Sequence, residues 1–169
     1  MLHNKQNVFD DFISAGEFLI EQNYTQAKHL SISGRSNGGL LTAASVLQRP
    51  DLFGAVESSV AVADMLRYHK FTIGWAWLGE YGNPDKKEDF EVLYKYSPIH
   101  NVKSNVDYPP IIITTGDYDD RVVPSHSFKM AATFQHEYKG NNPIIIRIDT
   151  DSGHGSGKPI SKWINEKAD

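Results

Sequence analysis

Apolar and polar residues alternate along this chain with two different periods. Between Val8 and Gln22, Val8, Phe9, Phe12, Ile13, Ala15, Leu19 and Ile20 recur at mixed three- and four-residue intervals. That spacing predicts an amphipathic helix, with Asp10 and Asp11 in its first turn. His29-Leu30-Ser31-Ile32-Ser33 reads as a short strand, and a helical pattern from Leu40 follows until Arg49-Pro50, where proline ends it. Phe53 to Val62 predicts a second strand, and Asp85 to Tyr96 a charged helix. Between them, Tyr68, Phe71, Trp75, Trp77 and Tyr81 keep no single period. Ile111 to Thr115 is the strongest strand signal, Pro124 to Tyr138 is helical with proline at the permitted first turn, and Pro143 to Asp149 is a fourth strand. A last helix is expected from about Lys158. Strands that alternate with helices and read as continuous apolar runs predict an α/β fold, with a parallel sheet covered on both faces.

At 169 residues, 40% hydrophobic and 22% charged, the chain can bury one sizeable core. A net charge of -4 gives no reason to expect nucleic acid or an anionic membrane as partner. Cysteine is absent, which excludes disulfides and thiolate metal sites. The first residues lack the apolar core of a signal peptide, and no run approaches membrane-spanning length. The expectation is a soluble, cytoplasmic chain.

Chemistry enters at Gly34-Arg35-Ser36-Asn37-Gly38, where a strand runs into a glycine-bracketed serine and a helix follows at once. This is the Gly-x-Ser-x-Gly nucleophile elbow in the context its mechanism requires. Glycines on both sides suggest a turn too tight for Cβ atoms, with the serine strained. The Asn37 N–H at the helix start is then free to face a developing oxyanion. In parallel sheets functional groups gather beyond the carboxyl ends of the strands. Two further loops qualify: Asp117 to Arg121, and Gly153-His154-Gly155. The order serine, aspartate, histidine is that of the α/β-hydrolase triad. A serine hydroxyl needs a base, imidazole serves as one, and a carboxylate fixes its tautomer. Of seven histidines, His154 alone sits between glycines just past a strand. Asp117, Asp119 and Asp120 share one turn, and spacing does not choose among them.

Two decoys fall away. Gly157-Lys158 has Ser152 where a phosphate loop needs its first glycine, and Pro159 where it needs Ser or Thr. The acidic turn lacks the spaced ligands of a calcium loop. No metal and no cofactor are expected.

Several stretches together resemble the catalytic domain of the prolyl oligopeptidase family: Ser36-Asn37-Gly38-Gly39-Leu40-Leu41, Gln48 to Gly54, Tyr96 to Val102, Asp119-Asp120-Arg121-Val122-Val123-Pro124 and Gly153-His154-Gly155. The resemblance covers nearly the whole chain from about Lys5. It implies the C-terminal half of an α/β-hydrolase fold, in a serine peptidase that cuts short peptides on the carboxyl side of proline. It makes Ser36 the nucleophile, His154 the base and Asp119 the triad carboxylate, and gives the Asn37 amide as one oxyanion donor. Trp77 matches the indole that stacks on the substrate proline, and Arg121 matches an arginine that binds a substrate carbonyl. Val62, Tyr81 and Val122 fall where the proline pocket is lined.

The same resemblance places a β-propeller, the first sheet strands and a second oxyanion donor, a tyrosine hydroxyl, ahead of these residues. It implies that the missing segment is a covalent or associated partner, and that the 169 residues alone form a partial domain of weak or no activity. The competing readings are another acyl hydrolase of this fold, oligopeptidase B-like or an esterase, and a fragment without turnover.

Overall fold

In the computed structural model, which describes residues 2–155 and 159–168, four strands lie side by side in sequence order: β1 (Ser31–Arg35), β2 (Ala55–Ser59), β3 (Ile111–Gly116) and β4 (Ile144–Asp149). Every pairing is parallel, with Ile32 opposite Val56, Val56 opposite Ile111 and Ile111 opposite Ile144. Side chains alternate along a strand, so this register gathers Ile32, Val56, Ile111, Ile113, Ile144 and Ile146 on one face. Three helices cover that face: α1 (Gln6–Glu21), α2 (Asn37–Gln48) and, further along the chain, the helix Ser125–Glu137. Ile13, Val46, Met130 and Phe134 from them join the strand residues in one buried cluster.

The remaining helices are α3 (Leu78–Tyr81), α4 (Lys87–Tyr96) and, after Ser125–Glu137 (α5), α6 (Ile160–Ala168). A second buried cluster joins Phe9 of α1 and Leu40 of α2 to Leu93 and Tyr96 of α4, together with Val62, Met65, Tyr68, Tyr81 and Val122. Among the described residues no helix is long and apolar enough to cross a membrane.

Several boundaries differ from the sequence reading for local reasons. The first helix begins at Gln6, which moves Asp10 out of the first turn; its carboxylate instead accepts a 2.8 Å hydrogen bond from Gln6 Nε2. The first strand starts at Ser31 because Ala27–His29 closes a 3₁₀ turn, with His29 N donating to Gln26 O. The second strand ends at Ser59: Val60 still donates its N–H to Thr114 O at 2.8 Å, but at φ 42° it turns the chain out of the extended conformation. Val60 to Ala63 are apolar because they are buried as a loop. The Gly157-Lys158 pair, and the start expected for the last helix, lie outside the described residues.

The larger difference concerns the second face of the sheet. Helix α6 covers one end of it, where Arg147 Nη1 donates to Asn165 O and the Arg35 guanidinium lies 5.4 Å from the Trp163 ring centre. The rest is an open hollow of about 330 Å³ lined by Ser31, Ser33, Ala55, Glu57, Ile112 and Ile145. Ile145 is 53% exposed there. Both faces were expected to be covered because all four strands read as apolar; among the described residues one is covered throughout and the other only at the end where α6 lies.

Candidate active site

The site begins with a backbone reversal at the end of β1. Ser36 adopts φ 60°, ψ −116°, a region that non-glycine residues avoid at a cost of roughly 1–3 kcal/mol. The strain is held from two sides: Ser36 N donates to Ser59 O on β2 at 2.9 Å, and Ser36 O accepts from Leu40 N as α2 starts. The glycines play unequal parts. A Cβ on Gly34 would run into the Gly38 carbonyl, and one on Gly39 would sit 2.6 Å from Ser59 O. One on Gly38 would meet nothing. The tightness expected of both bracketing glycines therefore falls on Gly34 and on Gly39.

At the ends of β3 and β4 the other two groups meet the serine. His154 Nε2 lies 3.1 Å from Ser36 Oγ, and His154 Nδ1 lies 2.7 Å from Asp119 Oδ2. Asp119 is 2% exposed and is fixed by the loop that carries it, its Oδ1 accepting from Arg121 N at 3.0 Å and Val122 N at 2.9 Å. A carboxylate on Nδ1 selects the tautomer with a proton there, which leaves Nε2 as an acceptor toward the serine hydroxyl. Of the three aspartates that spacing left open, Asp119 is the one that reaches the imidazole. Asp117 instead accepts from Ser152 N at 3.1 Å and so braces the histidine loop, and Asp120 is exposed.

The other expected residues cluster beside this relay. Tyr81 donates to Asn37 Oδ1 at 2.9 Å, and Trp77 stands edge-on to Tyr81 with centres 6.5 Å apart. Trp77 also stacks on Tyr68 at 6.4 Å. Val62 and Val122 are both buried in the same cluster as Tyr81, with Trp77 packed against it. Burial raises the Tyr81 phenol well above its usual range, so the hydroxyl stays a donor. Arg121 joins through its main chain, its residue being exposed at the rim.

Arg35 was not among the expected site residues. Its Nη2 donates to the main-chain oxygen of His154, and its Nη1 to Ser59 Oγ at 3.2 Å. The residue before the nucleophile thus holds the loop that carries the imidazole, a link that no local pattern encodes. Among the described residues, no group of three or more His, Asp or Glu side chains could hold a metal ion.

A serine on a strained strand-to-helix turn, an imidazole and a buried carboxylate, all beyond the carboxyl ends of a parallel sheet, are the features of a serine hydrolase of the α/β-hydrolase class. The chain belongs to the prolyl oligopeptidase family, whose sequence model it matches over residues 1–169. It is 53% identical to a prolyl endopeptidase of Dictyostelium discoideum over 169 residues, which are 98% of this chain and 22% of that relative. With a prolyl endopeptidase of Elizabethkingia meningoseptica it shares 50% identity over 98% of its length and 24% of the relative's. The chain therefore spans about a quarter of the relatives it matches. Among solved structures, one from a study of two prolyl endopeptidases superposes with a TM-score of 0.92 at 52% identity, over 99% of this chain and 23% of that one. Oligopeptidase B from Leishmania major superposes at 0.94 with 34% identity, over 99% and 23%.

Proposed function

We propose that this chain carries the catalytic groups of a serine endopeptidase acting on the carboxyl side of proline in short peptides. The observation that supports the reading most directly is the continuous relay from Asp119 Oδ2 through His154 to Ser36 Oγ, with steps of 2.7 and 3.1 Å. In this mechanism Ser36 Oγ attacks the scissile carbonyl carbon as His154 Nε2 takes the hydroxyl proton. Asp119 stabilises the imidazolium, and the Asn37 N–H receives the developing oxyanion. Collapse of the tetrahedral intermediate breaks the C–N bond, His154 returning the proton to the departing amine. Water, deprotonated by the same imidazole, then hydrolyses the acyl-enzyme.

Preference for proline follows from the aromatic cluster. The pyrrolidine ring lies on Trp77 within walls made by Tyr81, Val62 and Val122, and Arg121 donates to a substrate carbonyl. The relatives named as prolyl endopeptidases support this assignment over a preference for basic residues. The 169 residues tested alone turn over slowly in this reading. The resemblance puts a second oxyanion donor outside the shared stretch, and one such donor is worth on the order of 10²–10³ in rate.

The test compares chromogenic peptides cleaved after proline and after arginine with a simple ester, alongside labelling of Ser36 by a fluorophosphonate. Slow post-proline cleavage and labelling, both abolished in Ser36→Ala, are expected. A folded chain whose Ser36 is never labelled would refute the assignment of nucleophile, and faster cleavage after arginine would refute the pocket.

A further inference from the structure

Lys5 is out of place for a lysine. It is 2% exposed, and its ammonium lies beside the nucleophile turn instead of in solvent. Lys5 Nζ is 3.1 Å from Glu80 Oε1, 3.4 Å from Asn37 Oδ1 and 5.1 Å from the Tyr81 ring centre. Asn37 closes the circuit: its Nδ2 donates to the same Glu80 oxygen at 3.1 Å, and its Oδ1 also accepts from Tyr81. A buried ammonium persists only when partners replace its water. Here those partners are one carboxylate, one carboxamide and one ring face, and all of them converge on Asn37.

Asn37 is the residue whose main-chain N–H is read above as the oxyanion donor. That N–H belongs to the first turn of α2, where amides have no intrahelical acceptor, and it follows a serine held at φ 60°. Within the helix only the carbonyl end of the Ser36–Asn37 peptide is held, Ser36 O accepting from Leu40 N at 3.1 Å, and the N–H end has no helical acceptor. The carboxamide, two rotatable bonds away, is held on its oxygen by Lys5 and Tyr81 and on its nitrogen by Glu80. Locking both ends of the side chain restricts the main chain that carries it, which is how a supporting layer preorganises a donor.

We propose that Lys5 and Glu80 are positioning residues for the oxyanion donor, acting together through the Asn37 carboxamide. Neither touches the reacting atoms. The inference rests on the reading of Ser36 as nucleophile and deepens it: the start of α1, 31 positions before the serine, takes part in setting the rate.

The experiment uses the 169-residue chain and follows phosphonylation of Ser36 by a fluorophosphonate, separating the maximal rate from the half-saturating concentration. Lys5→Met removes the charge at similar volume, and Glu80→Gln neutralises the partner. Each single variant is expected to lose about tenfold in maximal rate with half-saturation and pH dependence unchanged. The double variant is expected to lose no more than either single one, because both act through one side chain. Wild-type maximal rates in the folded variants, or losses that multiply, would overturn the proposal. If Lys5→Met does not fold, Glu80→Gln decides, since that carboxylate is 38% exposed. Should the parent chain itself resist labelling, the nucleophile assignment fails separately. The Asn37 amide signal in a ¹H–¹⁵N spectrum then decides on positioning: a signal displaced alike in both variants supports it, and an unmoved one overturns it.

Discussion

His126 shows how one residue can set the acid response of the fold. It is 1% exposed, its Nδ1 accepts from Asp64 N at 3.0 Å, and the edge of Phe71 lies against its ring. Burial lowers its pKa from 6.5 to about 4, with Lys129 adding to the effect while Asp64 and Asp119 oppose it. Below pH 6.5 the unfolded chain therefore binds a proton that the native imidazole refuses. The stabilisation is complete above that pH and is lost as pH falls toward 4, with about 2 kcal/mol gone by pH 5. Urea unfolding at pH 7 and pH 5 should show this loss, and His126→Asn, which keeps an acceptor for the Asp64 N–H, should remove most of it. An equal loss in the variant would refute the assignment. At the relay, Asp119→Asn keeps the shape but favours the wrong tautomer of His154. Turnover of the post-proline substrate should fall on the order of 10³–10⁴-fold, with the melting temperature little changed.

The strand–turn–helix unit β1–α2 carries its own contrast between two glycines that the motif treats alike. Gly34 faces the Gly38 carbonyl and the Thr42 methyl, so Gly34→Ala must open the turn. Gly38 is the second residue of α2 and faces open space, so Gly38→Ala exchanges glycine for a better helix former at no steric cost. Thermal melts should show Gly34→Ala strongly destabilised and Gly38→Ala unchanged or stabilised by up to about 1 kcal/mol. The reverse order would mean that the turn has a different geometry. The unit was legible in the sequence because apolar period, glycine spacing and helix start coincide within twenty residues. The unequal glycines were not, because Gly39 meets Ser59 and Ala61 from another strand and loop.

At the scale of the whole fold, one face of the sheet is packed and, among the described residues, the other is largely open. The hollow around Ile112 and Ile145 adjoins β1, which pairs with β2 alone among the described strands. Exposed apolar surface beside an edge strand invites association between copies. Sedimentation of the 169-residue chain should show concentration-dependent self-association, and Ile145→Lys should reduce it. A monomer at all concentrations would show that the face is tolerated in water. The apolar pattern of β4 predicts the strand that forms, but period alone cannot say which of two faces a helix covers.

The amino-acid sequence by itself determined the order of the four strands and of the longer helices, the parallel α/β class, the turn that presents Ser36 and the glycine-flanked histidine. These are local matters, decided by spacing along a few turns or one strand. Spacing could not choose among Asp117, Asp119 and Asp120, which differ only in where a folded loop points them. The family resemblance named Asp119, and the tertiary structure brings its carboxylate to the imidazole. It also decided that Lys5 and Arg35 brace the site. Their partners lie 32, 75 and 119 positions away, and the cost of burying a charge is answered only by groups that folding brings to it.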